Sequence, residues 1–323
     1  MLDTCGREID YLRISITDRC NLRCVYCMPA GGVVSMAHGD VLSYEEIVRV
    51  VRLFARLGVR HLRVTGGEPM ARRGCLSLIE RLHAIDGIES IAMTTNALLL
   101  DGCVAWAREA GLDALNISID SLNPDTYRAM TRGGDVRRVL AVIDDALALG
   151  MKVKLNAVPV RGMNDGDLAE LAGLARERPV PVRFIELMPV GCGAGLIPVP
   201  GDEVRALLER AYGPLAEDTE RRGFGPARYV RAAGFAGPFG FISPVSHEFC
   251  DCCNRVRLTA DGFLKLCLNH TAGLDVRALL RGGIDDGALL EALRAAVAAK
   301  PRRHGFMDEI GDREVRRMNE IGG

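Results

Sequence analysis

The chain has 323 residues, of which 48% are hydrophobic and 26% charged, the proportions of an ordinary globular protein with one large or two moderate domains. Its formal net charge of −1 gives no overall attraction to nucleic acid or to an anionic membrane, so neither is an expected partner. Without a run of about 18 apolar residues or an apolar leader, the sequence predicts a cytoplasmic protein. Eleven cysteines are then better explained as metal ligands and buried thiols than as disulfides.

The first chemical signal follows a predicted strand at residues 11–17. Cys20, Cys24 and Cys27 have C-x3-C-x2-C spacing, which lets one short loop turn three thiolates toward a common point. A structural zinc takes four donors and clusters ligated by cysteine usually have four as well, so three thiolates leave one metal position open. The spacing alone also allows a zinc loop completed by a distant His or Cys, or three free thiols in a core.

Strand and helix patterns alternate over the first 187 residues. A capping box at Ser43 and Glu46 begins one helix, which Gly58 is expected to end. Alternating units imply a parallel sheet, and we expect an α/β fold with a partial (βα)6 barrel of the TIM type. The six predicted strands are 11–17, 61–66, 90–95, 114–119, 153–158 and 182–187.

Four of these strands carry a cation on a face that is otherwise polar. Parallel strands are normally buried on both faces, so a polar face needs a solvated or ligand-filled space, and the barrel lumen would be that space. Several cations around one cavity favour a polyanionic ligand. The alternative is that the side chains reach water past the strand ends or pair with local carboxylates. The four cations are Arg13, Arg63, Lys154 and Arg183.

After Met188 a segment rich in Gly and Pro ends the alternation, and we expect two domains, 1–190 and 191–323. The second is predicted to be α+β, with a hairpin signal at 260–262. Its predicted helices are 202–212 and 289–299, and its predicted strands are 228–231, 237–243, 255–259 and 263–266.

A second set of three cysteines lies on and beside that hairpin, at Cys250, Cys253 and Cys267. Cys252 adjoins Cys253 and is treated as a bystander, although a zinc knuckle completed by Cys252 or His247 is an alternative for this segment. Arg255 and Arg257 share one strand face directly after the thiolates, and guanidinium groups beside an open metal position suit base or phosphate oxygens. Two incomplete clusters in one chain imply two open irons that face one substrate.

The segment LRISITDRCNLRCVYCMP resembles the cluster loop of radical S-adenosylmethionine enzymes. Nearly end to end, the chain resembles the GTP 3′,8-cyclase family of molybdenum cofactor biosynthesis. The resemblance extends over LRVTGGEP, TTN, ISIDSL, NAVPVRGMND, RFIELMPVG, FCDCCNRVRLTADGFLKLCL and the IGG terminus. The first cysteine spacing alone identifies only the superfamily, whereas both cysteine sets with the arginines and the diglycine tail are specific.

The resemblance implies two 4Fe-4S clusters, one on each cysteine set, with S-adenosyl-L-methionine as a further cofactor and GTP as the substrate. It places four residues at the S-adenosylmethionine site, namely Tyr26, Gly67, Ser118 and Met188. It places seven residues against GTP, namely Arg13, Arg63, Thr94, Lys154, Arg255, Val256 and Arg257, with Arg183 as a further candidate. The tail, Gly322 and Gly323, would thread back toward the site. His61 departs from the family, since many relatives carry Lys there, and Ala97 stands where Gly is usual.

The implied reaction begins when an adenosyl radical removes the ribose 3′ hydrogen of GTP. The ribose radical then attacks carbon 8 of guanine to give a 3′,8-cyclised nucleotide, the first step of the pathway. Implied partners are a low-potential electron donor, cyclic pyranopterin monophosphate synthase as the downstream enzyme, and a second copy in a homodimer. The alternatives are a radical enzyme with an auxiliary cluster that acts on a peptide, and a non-catalytic protein with two zinc sites.

Overall fold

The computed structural model describes residues 1–306, 314 and 316–322. All six predicted strands of the first region are present and alternate with helices. The strands are β1 (Tyr11–Ser15), β2 (His61–Thr65), β3 (Ser90–Thr95), β4 (Ala114–Ser118), β5 (Lys152–Ala157) and β6 (Val182–Ile185). The helices are α1 (Tyr44–Arg56), α2 (Cys75–His83), α3 (Val104–Glu109), α4 (Pro124–Thr131), α5 (Val136–Ala148) and α6 (Leu168–Gly173).

Helix α1 begins with the predicted capping box. The Ser43 hydroxyl accepts the Glu46 N–H at 3.1 Å, and the Glu46 carboxylate accepts the Ser43 N–H at 2.7 Å. The helix ends before Gly58, which has a φ of +99°. Val50 and Phe54 on its buried face share one hydrophobic cluster with β1 and β2. This packing fixes one side of the sheet, so the polar residues of the strands face the other side.

The C-terminal region adds strands to both edges of the six. On one edge β10 (Arg255–Leu258) pairs parallel with β1, and β11 (Phe263–Lys265) and β12 (Gly273–Asp275) follow antiparallel. On the other edge β9 (Phe239–Ile242) pairs parallel with β6, and β8 (Arg228–Ala232) and β7 (Leu215–Asp218) follow antiparallel. One twelve-stranded sheet results, with β12 and β7 at its ends. The two predicted regions, 1–190 and 191–323, therefore share a single sheet.

Further helices follow in the described part of the C-terminal region. They are α7 (Gly201–Tyr212), α8 (Val276–Arg281), α9 (Asp286–Ala298) and α10 (Met318–Ile321). The predicted helices at 202–212 and 289–299 and the predicted hairpin between β10 and β11 are confirmed. Strands β7 and β12 and helices α8 and α10 were not predicted. Within the described residues, the structure contains no helix of the length and apolar character needed to cross a bilayer.

Candidate active site

A single cavity of about 330 Å³ lies on the polar side of the sheet. Both cysteine sets line it, as do the predicted contacts for S-adenosylmethionine and most of those for GTP. Among the predicted site residues, only Lys154 and Val256 do not line it. The polar strand faces therefore enclose a common space, as the alternation of the strands predicted.

The two cysteine sets lie at opposite ends of this cavity. Strands β1 and β10 run parallel with Tyr11 opposite Arg255. The loop with Cys20 leaves the carboxyl end of β1, whereas Cys253 precedes β10 and so lies at its amino end. Cys267 follows β11, which runs antiparallel to β10 and returns the chain to that same end. A ligand in the cavity would thus have three thiols at either end.

The first three thiols are poor acids without a metal. Burial raises the pKa of Cys24 well above its usual value, and nearby Asp120 and Cys27 add to the effect. Burial likewise raises the pKa of Cys27 to about 12, with further contributions from Cys20 and Cys192. Because metal ligands must be thiolates, loading this loop releases protons, and the bound metal compensates the charge that burial disfavours.

The second set has cations beside it. Although burial raises the pKa of Cys253, the Lys300 ammonium and the Arg255 guanidinium bring it below its usual value. Lys300 is itself buried and donates to the Leu266 carbonyl. This end of the cavity therefore favours thiolate at one ligand even before metal binds.

The thiol spacing bears on the zinc alternatives. Among the described residues, the one group of His, Cys, Asp or Glu ligand atoms that all lie within 4.8 Å of one another is Glu248, Cys250 and His304. Neither cysteine set meets that limit. A tetrahedral zinc with Zn–S bonds of about 2.3 Å would hold its sulfurs only about 3.8 Å apart. As the side chains stand, neither set of thiols is close enough together to hold one zinc ion without a change of rotamer.

The GGEP turn braces the first cysteine loop. A Cβ at Gly66 or Gly67 would overlap the carbonyl oxygens of Thr17 and Arg19, so only glycine permits this approach. The Gly67 N–H donates to the Thr17 carbonyl and the Glu68 N–H to the Arg19 carbonyl, each at 2.8 Å. The turn after β2 thus fixes the segment that leads into Cys20.

The Glu68 side chain connects the GGEP turn to the TTN segment, residues 94–96. Its carboxylate accepts the Thr95 hydroxyl and the Asn96 N–H, each at 2.8 Å. The Asn96 side chain in turn donates to Asn21 at 2.8 Å and lies 3.7 Å from the Cys20 sulfur. Burial raises the pKa of Glu68 to about 7. Sequence reasoning did not assign a role to Asn96, although its place in TTN at the end of β3 was a usable signal.

Five arginines form a band of positive charge between the two ends. Arg13 is opposite Arg63 on β2 and opposite Arg257 on β10, so three guanidinium groups stand at one level of the sheet. Burial lowers the pKa of Arg13 well below its usual value, and the charges of Arg257 and Arg63 lower it further. Burial also lowers the pKa of Arg183 to about 10. Since crowding and burial both disfavour these cations, an anionic ligand would be strongly stabilised here. The five are Arg13, Arg63, Arg183, Arg255 and Arg257.

Several buried donors in this band lack an internal partner. Within the part of the chain that the structure describes, Nε of Arg63, Arg183 and Arg255 makes no hydrogen bond, nor does the Thr94 hydroxyl. Buried polar groups are seldom left unsatisfied, so these atoms indicate where a polar ligand binds.

Two predicted GTP contacts lie elsewhere. The Lys154 ammonium donates to the Arg222 carbonyl at 2.6 Å, and burial followed by the charges of Arg183 and Arg63 lowers its pKa to about 7. The Val256 side chain is 1% exposed and belongs to the hydrophobic cluster with Leu12. The strand alternation sends it away from the cavity, so its side chain is not placed to contact a ligand there.

The C-terminal end of the chain lies in the site, beside the carboxyl ends of β1 and β2. The Gly322 carbonyl accepts from Arg257 Nη1 at 2.8 Å. Gly322 has a φ of +85°, and a Cβ there would lie 2.7 Å from both the Ser15 Cβ and the Thr65 hydroxyl, so glycine is needed at this position. The predicted return of the tail therefore holds for Gly322, and Gly323 lies outside the described residues.

Arg7 contacts the second cysteine set, at the other end of the cavity, and sequence reasoning did not identify it. It pairs with Asp3 at 2.6 Å and donates to the Cys250 carbonyl at 2.9 Å and the Pro301 carbonyl at 2.8 Å. One guanidinium thus joins the N-terminus, the second cysteine set and residues 300–302. No local pattern marks such a contact, because its partners are remote in sequence.

Tyr26 is held by a buried carboxylate, and this contact gives a pH-dependent prediction. Asp120 accepts the Tyr26 hydroxyl at 2.8 Å and the Val158 N–H at 2.9 Å. Burial raises the pKa of Asp120 from 3.8 to about 6. The folded state therefore binds the proton more tightly, so the contribution of Asp120 to stability is present at low pH and lost as the pH rises toward 6.

Replacing Asp120 with Asn should remove this dependence, because Asn can accept from Val158 and donate to the Tyr26 oxygen without titrating. Relative to wild type, the free energy of unfolding of metal-free Asp120→Asn should rise by on the order of 3 kcal/mol from pH 4 to pH 7. Denaturant titrations under reducing conditions measure this difference. Asp125→Asn, which removes an exposed carboxylate, is the control variant measured in parallel. Parallel pH curves for wild type and Asp120→Asn would contradict the prediction.

Comparisons with known proteins agree with this geometry. The Radical SAM superfamily matches residues 14–175, and Molybdenum Cofactor Synthesis C matches residues 180–306. Curated relatives called GTP 3′,8-cyclase match over the full length. The relatives from Pelotomaculum thermopropionicum and Moorella thermoacetica are each 45% identical, with 100% of both chains covered.

Among solved structures, Streptococcus suis SuiB bound to S-adenosylmethionine matches with a TM-score of 0.62. The match covers 90% of this chain and 68% of that chain at 14% identity, which shows a shared fold. This shared fold agrees with the predicted partial barrel and C-terminal region. With curated relatives at 45% identity over its whole length, the chain belongs to the GTP 3′,8-cyclase family of radical S-adenosylmethionine enzymes.

Proposed function

We propose that this protein converts GTP to (8S)-3′,8-cyclo-7,8-dihydroguanosine 5′-triphosphate, the first step of molybdenum cofactor biosynthesis. The observation that carries the proposal is one cavity with three thiols at each end and a band of arginines between them. A nucleoside triphosphate offers a charged part for the arginines and a base for the far end. A peptide, the alternative substrate, has no comparable charge for this band.

The residues present fit two 4Fe-4S clusters. Cys20, Cys24 and Cys27 would hold the first, and their three thiols leave one position for S-adenosylmethionine. When bound there, the cluster supplies the electron that cleaves S-adenosylmethionine to an adenosyl radical. The second cluster is proposed at the other cysteine set, Cys250, Cys253 and Cys267, where the cations beside Cys253 favour thiolate.

The chain itself contributes position and shielding. Tyr26, Gly67, Ser118 and Met188 are proposed to surround S-adenosylmethionine at the carboxyl end. Arg13, Arg63 and Arg183 would bind the phosphate part of GTP, and Arg255 and Arg257, near the second cysteine set, would contact the guanine base. Fixing the nucleotide at two points holds its ribose between the ends, where carbon 3′ and carbon 8 can be kept in near-attack geometry away from water.

The partners and location follow from the family and are part of the proposal. A low-potential electron donor would reduce the first cluster, and cyclic pyranopterin monophosphate synthase would use the product. We further propose a cytoplasmic homodimer. Lys154 is retained as a proposed GTP contact on condition that it exchanges its present carbonyl partner for the ligand.

Anaerobic turnover tests the proposal. Protein reconstituted with iron and sulfide should contain about eight irons per chain. With S-adenosylmethionine, GTP and a strong reductant it should form 5′-deoxyadenosine and a cyclised nucleotide in step. Omission of GTP is the control, with only slow formation of 5′-deoxyadenosine expected. Absence of a GTP-dependent product, or two zinc ions in place of iron, would disprove the assignment.

A further inference from the structure

Residues 219–227, the connection between β7 and β8, cross the amino end of the barrel. On one side the Phe224 ring stacks on His61, the first residue of β2, with 3.3 Å between ring centroids and 13° between planes. On the other side the Arg222 carbonyl accepts from Lys154 of β5. The segment is thus attached to two separate strands of the barrel and spans the space between them.

This segment separates two cavities. Gly225 and Pro226 line the central cavity and also an outer pocket of about 680 Å³. Arg255 lines both spaces as well, and Arg221 and Arg228 line the outer pocket alone. Gly225, Pro226 and Arg255 therefore form the boundary between the arginine band and an outer pocket that is lined by both cations and carboxylates.

The carboxyl end of the barrel is already occupied by other parts of the chain. The first cysteine loop and the GGEP turn lie there, and Gly322 packs against Ser15 and Thr65, the last residues of β1 and β2. S-adenosylmethionine is proposed to bind at that end. A nucleotide that used the same route would have to pass it.

We propose that residues 219–227 form a gate at the amino end, through which a nucleoside triphosphate reaches the central cavity independently of the S-adenosylmethionine site. This inference rests on the proposed function. Arg221 and Arg228 line the outer pocket together with carboxylates, among them Glu8, Glu220 and Asp251, so entry depends on the gate and not on a net positive charge of that pocket. Phe224 and His61 hold one side of the gate closed, and the bond from Lys154 to Arg222 holds the other.

Both attachments are suited to opening. An incoming phosphate oxygen competes with the Arg222 carbonyl for the Lys154 ammonium, so the ligand itself loosens one side. The His61 ring also accepts or donates a hydrogen bond with the Ser90 hydroxyl at 3.0 Å, which keeps it in place under Phe224.

Rapid filtration with radiolabelled GTP, on reconstituted holoenzyme without reductant, tests the gate. Phe224→Ala removes the stack and should raise both the association and the dissociation rate of GTP by about 2- to 10-fold. The dissociation constant should change less than about twofold, because a gate alters both rates alike. Phe224→Leu, which keeps bulk without an aromatic ring, should change the rates in the same direction. Ile197→Ala, at an exposed site away from both cavities, is the control.

A second arm uses S-adenosylmethionine. Saturating the wild-type protein with it should leave the GTP association rate unchanged within about twofold, since the two ligands use different ends. Strong slowing would overturn the proposal, because it places both ligands on one route. Unchanged rates in the Phe224 variants, or a faster dissociation alone, would also overturn it. If wild-type protein binds no GTP, the proposed function itself fails, which is a distinct result.

Discussion

Cys250→Ser is expected to abolish cyclisation of GTP while the first cluster still cleaves S-adenosylmethionine. Cys250 lines the central cavity at the end opposite the first cysteine loop. Arg7 donates a hydrogen bond to the Cys250 carbonyl. Burial raises the pKa of the Cys250 thiol, and the charges of nearby Cys267 and Cys253 raise it further. Loss of one of the three proposed ligands would remove or displace the second cluster, which is proposed to offer an open metal position to the substrate.

The expected measurements separate the two ends of the site. Iron should fall toward about four per chain, since one cubane cluster holds four irons. The cyclised product should fall by at least about 100-fold, because misplaced reactants lose near-attack geometry. Slow, GTP-independent formation of 5′-deoxyadenosine should continue. Product formation near the wild-type rate would show that the second cysteine set is not essential.

Cys252→Ser is the matched control for this variant. Cys252 is exposed, donates to the Phe249 carbonyl at 3.4 Å and lines the outer pocket rather than the central cavity. Its replacement should leave iron content and product formation within about twofold, as is usual for surface changes. A loss as large as that of Cys250→Ser would transfer the ligand role to Cys252.

The parts of the site that lie on strands were predictable because side chains alternate along a strand. This rule places Arg13 and Arg63 in the lumen, and the structure confirms both. The same rule applied to β10 sends Arg255 and Arg257 inward and Val256 outward. Val256 was assigned to GTP by family resemblance instead, and its side chain lies in the core. Where the two arguments disagreed, the local physical rule gave the right direction for the side chain.

Long-range pairing was not predictable from local pattern. Strands β9 and β10 are short and carry no signal that they flank β6 and β1, so the sheet shared by 1–190 and 191–323 was not predicted. Lys154 was expected in the lumen by alternation, yet the Arg222 carbonyl, 68 residues away, holds its ammonium. Arg7 likewise acts through carbonyls 243 and more residues away. Such contacts depend on how loops meet in three dimensions.

Glu314→Leu is expected to release the chain end and reduce cyclisation strongly without loss of either cluster. The side chains of Lys265 and Glu314 form an ion pair and are 0% and 1% exposed. The Glu314 N–H also donates to the Asn269 carbonyl at 2.6 Å. Through this pair the segment that carries Gly322 is joined to β11. Removing the carboxylate leaves a buried ammonium without a counter-charge, although it still donates to the His270 carbonyl, and this costs about 3–5 kcal/mol.

Release of the chain end would let water reach the Lys265 ammonium and relieve this cost, so Gly322 should leave Arg257. Product formation should fall by about 100-fold or more, and iron analysis should still give two clusters. The double variant Lys265→Met/Glu314→Leu is the decisive control. Since an apolar pair can replace a buried ion pair with little loss, it should recover much of the activity. A double variant as inactive as the single would show that the charge pair does not hold the chain end, and wild-type activity in Glu314→Leu would show that its docking is dispensable.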